Sequence, residues 1–419
     1  MNLGISREKP QIMHIDLNSA FATAEQQARP SLRGKPIGVT NRISEYCCVI
    51  AASYEAKLLG VRTGMRLDEA RKIIPNFIIL VTDPPRYHHV YKTLAKIMGS
   101  YSPNVRMKSI DEGVIDFHHT ASLYKQSLES IGYEIKKRVA SEIGKWMTIN
   151  IGIGPNMFLA KTASNLHKPD GLDIIDYRNL KATYGTMKLT DITGIASHYE
   201  ARLNAANIFT PLDFLEASSE TLKRLVFHGT IGEDWYLRLR GYEIDNITTK
   251  MSSVGRQFVL DIRSSDDKLI LPRFHYLCES VGKKLRFNSL NARGLLVWAT
   301  FHSGDNWHNR KMFTTTFYTD KDIHQKALYL FNQRPKGLII TSMGITCYAL
   351  EASSRNQISL FDEINKQEKL TQAVDNLNDR YGNFIIGSMD SMQSKKTIKQ
   401  KIPFGSTKYF ELLLQSDKH

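Results

Sequence analysis

The chain is short of the residues that would indicate disulfide bonds, structural zinc or a membrane span. Its 419 residues include only four cysteines, Cys47, Cys48, Cys278 and Cys347, and none has the CxxC spacing of a zinc or redox site. The longest apolar runs, such as residues 294–301, are far below the roughly 20 residues that a transmembrane helix needs. Residues 1–11 lack the apolar core of a signal peptide. We therefore expect a reduced, cytoplasmic protein without a membrane span.

Acidic residues are also scarce relative to basic ones. The chain has 42 Asp and Glu against 56 Lys and Arg, a formal net charge of +14 that is spread along its length. This excess favours a polyanion as partner, such as nucleic acid or an anionic membrane surface. A hydrophobic fraction of 42% with 10% aromatic residues is typical of a globular protein, and the length suggests two to four domains.

Two acids stand side by side in NVRMKSIDEGVIDF, residues 104–117. The pattern predicts antiparallel strands at 105–110 and 114–117, with Asp111 and Glu112 at the turn. Adjacent side chains within a strand point to opposite faces, so a turn is what would let both carboxylates converge. Close carboxylates repel each other unless a proton, a lysine or a divalent metal holds them. The pair alone is also compatible with an ordinary surface turn.

A third acid, Asp16, ends a predicted strand at residues 12–15. Asn18 or Ser19 can cap the helix that follows, which runs through Phe21 and Glu25. A carboxylate before a helix N-terminus combines a metal ligand with amides that suit phosphate. An aspartate in this position is also a common helix cap, so it needs further partners before it indicates a site.

Those partners include a lysine. Residues 146–172 predict a buried strand, a Gly-Pro-Asn turn, a helix that contains Lys161, and a loop with Lys168 near the edge of a sheet. Asp16, Asp111, Glu112 and Lys168 could then surround one charged substrate. Nucleotidyl transfer needs such a set, because carboxylates from two strands hold two divalent ions about 4 Å apart while cations hold the triphosphate.

Four segments resemble, in order and spacing, the Y-family translesion DNA polymerases of the DinB and UmuC type. They are HIDLNSAFATAEQ at 14–26, AASYEAKLLGVRTGM at 51–65, SIDEGVIDF at 109–117 and IGIGPNMFLAKTASNLHKPDG at 151–171. The resemblance runs from about residue 12 to about residue 382. It implies a multidomain α/β and α+β fold, the right-hand polymerase. The implied domains are a palm at 1–25 and 85–175, small fingers at 26–84, a helical thumb with a helix-hairpin-helix at 176–242, a little finger at 250–350, and a clamp-binding motif and tail at 351–419.

The resemblance also implies a function. It is that of an error-prone DNA-directed DNA polymerase, a nucleotidyltransferase that performs translesion synthesis in DNA repair, DNA-damage tolerance and the SOS response. Its cofactors would be two Mg²⁺ ions, and its partners would be primer-template DNA, deoxynucleoside triphosphates and a sliding clamp. One alternative is a non-catalytic relative, which would be expected to lack the metal carboxylates. Another is a nucleotide cyclase, which would leave the basic C-terminal domain unexplained.

Individual residues take roles from the family motifs. The metal ligands would be the side chains of Asp16, Asp111 and Glu112 and the main-chain carbonyl of Leu17. The aromatic residue that excludes a ribose 2′-hydroxyl would be Phe21. The groups that bind the triphosphate would be Tyr54, Lys57 and Lys168.

Three positions depart from the family pattern. Ala20 stands where an aromatic residue usually precedes the gate, and Ala51 where a small hydroxyl residue is common. Lys57 replaces an arginine, so that a bidentate phosphate contact becomes a single ammonium. We expect these departures to affect catalytic efficiency more than mechanism, because the metal ligands are intact.

The C-terminal third is predicted to grip DNA. Residues 241–350 contain 15 Lys and Arg against 9 Asp and Glu, and residues 250–350 are predicted to alternate strands with helices. A helix near 271–289 would bury a stripe of apolar residues and leave Lys283, Lys284 and Arg286 available on other faces. Such a domain would bind phosphates with strong salt dependence. A merely solvated basic face is the alternative. The stripe comprises Phe274, Leu277, Val281 and Leu285.

The segment QISLFDE, residues 357–363, resembles the motif that binds the bacterial sliding clamp. Gln357, Leu360 and Phe361 would enter an apolar pocket on the clamp, and the tether would raise the local concentration of the enzyme. The spacing of Leu370, Leu377 and other apolar residues then predicts a last amphipathic helix that ends near residue 382.

Overall fold

The chain folds into two compact units that divide between residues 247 and 248. The computed structural model describes residues 3–43, 47–246, 250–353, 362–381, 385–389 and 391. The clamp-like segment with Gln357, Leu360 and Phe361 lies outside these residues. No helix in the described ranges is both long enough and apolar enough to cross a membrane. Each unit has hydrophobic cores of its own.

The first unit contains a five-stranded and a three-stranded sheet. Its strands are β1 (Ile12–Leu17), β2 (Ile37–Thr40), β3 (Ala51–Ala52), β4 (Ile78–Val81), β5 (Val105–Met107), β6 (Glu112–Asp116), β7 (Ile149–Gly154) and β8 (Leu172–Ile174). The larger sheet has the order β5-β6-β1-β7-β8 and the smaller one β3-β2-β4. Every residue of β7 is buried, in agreement with the predicted buried strand.

Helices flank these sheets and continue to the end of the unit. They are α1 (Ala20–Ala28), α2 (Tyr54–Leu58), α3 (Leu67–Ile73), α4 (Pro84–Gly99), α5 (Leu128–Glu142), α6 (Met157–Leu166), α7 (Leu180–Thr186), α8 (Ser197–Ala205), α9 (Pro211–Glu216), α10 (Ser219–Thr221) and α11 (Ile231–Leu239). Apolar side chains of α1, α4 and α5 form one core with the five-stranded sheet. Helices α7, α8, α9 and α11 share a second core with α6.

Two stretches of this unit are less regular than the rest. In the thumb segment at 176–242, for which a helix-hairpin-helix was implied, a 3₁₀ turn at Leu189–Asp191 precedes α8. Gly194, with φ of 99°, separates them in the left-handed region that glycine adopts without strain. Within residues 47–53 only Ala51 and Ala52 belong to β3, and Val49 exchanges backbone hydrogen bonds with Gly64 and Met65.

The second unit is one antiparallel sheet with helices packed on one face. Its strands are β9 (Ser253–Ser264), β10 (Leu290–Phe301), β11 (Asn306–Phe317) and β12 (Ile340–Ala352), and its helices are α12 (Asp267–Phe287), α13 (Asp320–Phe331) and α14 (Asp362–Tyr381). The strand order is β11-β10-β12-β9. The predicted apolar stripe of α12 is buried against this sheet together with α13.

The predicted availability of the basic residues on α12 is wrong for two of them. Arg286 pairs with Asp320 at the start of α13, at 2.7 Å, and with Asp375 of α14, at 2.6 Å. Lys283 pairs with Asp379 of α14 at 2.6 Å. The acidic residues of α14 therefore cover this side of α12, which the sequence pattern of α12 by itself could not reveal.

Candidate active site

Strand pairing brings the three predicted acids to one place. Strand β1 lies between β6 and β7, and its antiparallel register with β6 sets Asp16 directly opposite Glu112. The backbone N–H of Leu17 donates to the carbonyl oxygen of Asp111 at 2.9 Å. Acids that are almost a hundred residues apart in sequence thus lie at the same end of two neighbouring strands.

The turn that carries Asp111 differs in detail from the prediction. Glu112 is the first residue of β6 rather than part of the turn, and β5 ends at Met107. The N–H groups of Lys108 and Ser109 both donate to the carbonyl oxygen of Glu112, at 2.9 and 3.2 Å. The Ser109 hydroxyl donates to the carboxylate of Asp111 and accepts from the N–H of Glu112 at 3.1 Å. These contacts place the two acids at the junction of turn and strand.

The acids perturb one another electrostatically. Burial raises the pKa of the Asp111 carboxyl, and the negative charges of Asp16 and Glu112 raise it further, against a lowering contribution from the hydrogen bond of Ser109. Repulsion of this kind is relieved by a bound cation. Burial also disfavours ionisation of Glu112, but the interactions with His14 and Lys161 outweigh it and bring the pKa of Glu112 down to about 2.

Three polar side chains predicted to bind triphosphate lie around Asp16. The Lys168 ammonium forms an ion pair with the carboxylate of Asp16. The Tyr54 hydroxyl donates to Oδ1 of Asn18 at 3.2 Å. Lys57 donates to the Ser19 hydroxyl at 2.7 Å, and its Nζ lies 4.7 Å from the centroid of the Tyr54 ring.

The pKa shifts of these groups indicate a shared environment. Burial, followed by the charge of Lys168, lowers the pKa of Lys57. Burial, followed by the charge of Asp16, raises the pKa of Tyr54 to about 12, so its hydroxyl stays protonated near neutral pH. Two ammonium groups and a phenol that can donate hydrogen bonds form a suitable surface for phosphate oxygens.

The predicted cap of α1 is not formed by a side chain. Ser19 occupies the position before the helix with φ of 48° and ψ of 43°, and its hydroxyl makes no capping hydrogen bond. That hydroxyl accepts instead from Lys57. The side chain of Asn18 donates to the Thr148 hydroxyl at 2.9 Å and accepts from Tyr54. Both candidate caps are therefore used to join α1 to neighbouring segments.

Phe21 lies in the first turn of α1 and is only 7% exposed. Its ring centroid is 4.5 Å from that of Tyr87 on α4, with an angle of 34° between the planes. The Tyr87 hydroxyl donates to Glu25, a fully buried acid that also pairs with Arg29 at 2.6 Å. Phe21, the candidate for excluding ribonucleotides, therefore packs against a tyrosine ring whose hydroxyl is held by Glu25.

Two residues that contact the acids were not assigned a role from the sequence. Lys161 donates to Glu112 at 2.7 Å, and His14 lies beside the same carboxylate. The signal for His14 is its position two residues before Asp16, because alternate residues of a strand share a face. The prediction placed Lys161 on a helix, but only the packing of that helix on the sheet brings it to Glu112.

The donor chemistry fits a divalent metal, although the side chains are turned to other partners. No cluster of three or more His, Cys, Asp or Glu side chains within the described residues is arranged to hold a metal ion. Asp16 and Glu112 are paired with lysines, and Asp111 with Ser109. Carboxylate and carbonyl oxygens are nevertheless the ligands that Mg²⁺ prefers, and a bound cation would offset the burial and the neighbouring charges that raise the pKa of Asp111. Displacement of Lys168 would free the carboxylate of Asp16, and the Lys161 contact engages Oε2 of Glu112 rather than Oε1.

Models of known protein families match two segments that together make up most of the chain. Residues 15–165 match the model of the impB/mucB/samB family, and residues 250–360 match the model of that family's C-terminal domain. All three acids lie in the first match.

Relatives and solved structures of similar sequence or fold include DNA polymerases. The chain is 30% identical over 407 residues to DNA polymerase IV of Oceanobacillus iheyensis, covering 93% of this chain and 94% of the relative. It is 30% identical over 390 residues to DNA polymerase IV of Pelotomaculum thermopropionicum, covering 90% and 94%. A Y-family polymerase chimera of Dbh and Dpo4 matches with a TM-score of 0.70 at 23% identity, over 81% of this chain and 99% of the other. An insertion ternary complex of Dbh DNA polymerase matches with a TM-score of 0.56 at 22% identity, over the same shares. The expected right-hand polymerase fold is confirmed.

Proposed function

This chain belongs to the Y family of DNA polymerases, of the bacterial DinB type, and we propose that it works by two-metal nucleotidyl transfer at Asp16, Asp111 and Glu112. It is a DNA-directed DNA polymerase that performs translesion synthesis, with DNA and deoxynucleoside triphosphates as partners. The observation that carries the mechanism is the register of β1 with β6, which sets Asp16 opposite Glu112 with Asp111 alongside. Burial, followed by the charges of Asp16 and Glu112, raises the pKa of Asp111, and a bound cation would stabilise the ionised carboxylate.

The cofactors we propose are two Mg²⁺ ions, held by these carboxylates and the carbonyl of Leu17. When bound, such ions activate a primer 3′-hydroxyl and neutralise the charge of the triphosphate leaving group. Lys168 would leave Asp16 and, with Lys57 and Tyr54, hold the triphosphate. Its present ion pair with Asp16 supports this, because it shows that the side chain reaches the site and already pairs with an anionic oxygen.

Sugar selection is assigned to Phe21. The ring is nearly buried and rests on Tyr87, so it has little freedom to move away from a 2′-hydroxyl. We propose that the enzyme is error-prone, because the described residues of the fingers at 26–84 form small elements, chiefly the short three-stranded sheet, α2 and α3, and would enclose the nascent base pair loosely.

The remaining domain roles are also proposals. The palm would comprise 1–25 and 85–175, the thumb 176–242 and the little finger 250–350. The division of the chain between 247 and 248 supports a separate little finger. A role of residues 351–419 in binding a sliding clamp rests on the sequence of Gln357, Leu360 and Phe361. We further propose that the enzyme acts in the cytoplasm.

The test is primer extension with magnesium on undamaged and abasic templates. We expect extension past the abasic site by the unaltered protein and none by Glu112→Ala, with DNA affinity nearly equal. Asp116→Asn is the matched control, because Asp116 lies at the other end of β6 and pairs with His118 instead of the cluster. Extension by Glu112→Ala at the normal rate, or none by the folded and DNA-binding unaltered protein, would contradict the proposal.

A further inference from the structure

One oxygen of the Glu112 carboxylate is engaged from two sides, and the other is open. Nζ of Lys161, on α6, lies 2.7 Å from Oε2, and Nε2 of His14, on β1, lies 3.5 Å from the same atom. Oε1 has no hydrogen bond or ion pair with any residue in the described ranges. The carboxylate is therefore oriented, with one oxygen toward α6 and one available to another partner.

The position of Lys161 depends on an unusually close approach of α6 to the sheet. A Cβ atom at Gly152 of β7 would lie 2.0 Å from the carbonyl oxygen of Ala160, and one at Gly154 would lie 2.6 Å from the N–H nitrogen of Ala160. Neither distance is compatible with a side chain, so the two glycines allow the helix to rest directly on β7. This contact fixes the distance between the sheet and the backbone of Lys161, the residue that follows Ala160.

A second contact fixes the same helix to β1. The Ser164 hydroxyl, one helical turn after Lys161, lies 3.1 Å from Nδ1 of His14. It also lies 2.8 Å from the carbonyl oxygen of Lys161, to which it can donate. Ser164 and His14 are each only 2% exposed. These contacts connect His14, Ser164 and the backbone of Lys161. They leave the Lys161 ammonium to bind Glu112.

The other lysine of the site is held differently. Lys168 lies in the loop after α6, beyond the end of the helix at Leu166, and its partner is Asp16. Its backbone is not fixed by helix packing in the way that the backbone of Lys161 is. A lysine on a loop can exchange its carboxylate for a phosphate, whereas a lysine in the middle of a packed helix keeps its position.

We propose that Lys161 is a positioning residue that holds Oε2 of Glu112, so that Oε1 is directed at a bound metal ion. This inference rests on the proposed function, in which Glu112 is a metal ligand. Partners that orient a ligand through hydrogen bonds to its second atom commonly change metal affinity on the order of 10- to 100-fold when they are removed.

The sign of the effect separates positioning from simple charge compensation. If Lys161 orients Glu112, its removal lets the carboxylate rotate and weakens metal binding. If Lys161 only balances charge, it competes with the metal ion, and its removal strengthens binding by reducing electrostatic repulsion. Lys168 is the internal contrast, because its ion pair with Asp16 must break before that carboxylate can bind a metal.

The experiment is a titration of the full chain, bound to primer-template DNA, with Mn²⁺ followed by electron paramagnetic resonance. We expect Lys161→Met to weaken Mn²⁺ binding about tenfold and Lys161→Arg, which keeps the charge, to recover most of the loss. We expect Lys168→Met to leave the affinity unchanged or to raise it. Unchanged or tighter binding by Lys161→Met would overturn the inference.

Controls separate this result from folding and from the proposed function. The Lys161 side chain is 35% exposed, so a methionine should be accommodated there. If Lys161→Met does not fold, Lys161→Gln is measured in its place, with the same expected loss of Mn²⁺ affinity. In a Glu112→Gln background, Lys161→Met should cause no further loss, because its effect passes through Glu112. If Glu112→Gln itself leaves Mn²⁺ affinity unchanged, the proposed metal site fails. If Glu112→Gln weakens binding but Lys161→Met does not, the inference alone fails.

Discussion

The five-stranded sheet of the first unit and the four-stranded sheet of the second use their strands in different ways. In the first, the acidic side chains of the candidate active site lie at the ends of two neighbouring strands, β1 and β6, where Asp16 faces Glu112. In the second, α12 and α13 cover one face, and the opposite face carries alternate residues of long strands, including Arg310 of β11 opposite Leu296 of β10.

The difference teaches where a single substitution should matter. Chemistry at a strand end depends on the positions of a few oxygen atoms, so the loss of one carboxylate should be severe. Phosphate binding on an open face is a sum of many weak, screened contacts, so the loss of one cation should be mild. The predictions below test this contrast, from the largest expected effect to the smallest.

The largest effect is expected at the acid cluster. Asp111→Asn keeps the shape of the side chain but removes a charged metal ligand, so nucleotide incorporation should fall by more than about a thousandfold. DNA affinity, measured by fluorescence anisotropy, should change little, because the sheet and its turn are kept. Equal loss of both properties would point to misfolding and would remove the contrast between the two sheets.

The next effect concerns the gate beside the cluster. Phe21→Ala removes the ring that rests on Tyr87 and opens space for a 2′-hydroxyl, so discrimination against ribonucleotides should fall at least about tenfold. The measurement is the ratio of kcat/KM for deoxynucleotide and ribonucleotide, and deoxynucleotide incorporation by the same variant is the internal control. Unchanged discrimination would show that Phe21 is only a core residue.

A smaller effect is expected for the loop lysine. Lys168→Met should raise KM for the incoming nucleotide about tenfold and lower kcat less, because a charged hydrogen bond to phosphate contributes roughly 1.5–3 kcal/mol. Steady-state kinetics at saturating DNA measures both constants. A fall in kcat with KM unchanged would instead assign Lys168 to the chemical step.

The smallest effect is expected on the face of the second sheet. Arg310→Ala should weaken DNA binding only a few-fold and reduce the slope of log affinity against log salt by about 0.9, whatever the DNA sequence. Lys283→Ala is the matched control, because that ammonium pairs with Asp379 on the helical side. Equal losses in both variants would mean that the helical side also contacts DNA.

Several features of the fold follow from local sequence alone. The buried run of β7, the Gly-Pro-Asn turn before α6 and the apolar stripe of α12 were predicted, because each is a local pattern that needs no information from distant residues. The hypothesis that Asp16, Asp111, Glu112 and Lys168 could surround one substrate came instead from the chemistry of nucleotidyl transfer. The roles of these residues in catalysis stay predictions.

Other features required the folded chain. The sequence of α12 offers Lys283 and Arg286 as free cations, but acids of α14, about ninety residues later, pair with them. Ser19 and Asn18 suit a helix cap, yet Lys57 and Tyr54 use them instead. A side chain with two possible partners takes the one that packing brings near, and local patterns do not contain that information.

By itself, the amino-acid sequence determined which residue types are present at the ends of the strands, the order of the family motifs and the polymerase fold that goes with them. Only the tertiary structure decided that Glu112 begins β6, that His14 and Lys161 hold one of its oxygens, and that Lys168 faces Asp16. The physical reason is that hydrophobic periodicity specifies each element from its own residues. The hydrogen bonds and pKa values of a site depend instead on distances between elements, which are set by contacts such as that of α6 with Gly152 and Gly154.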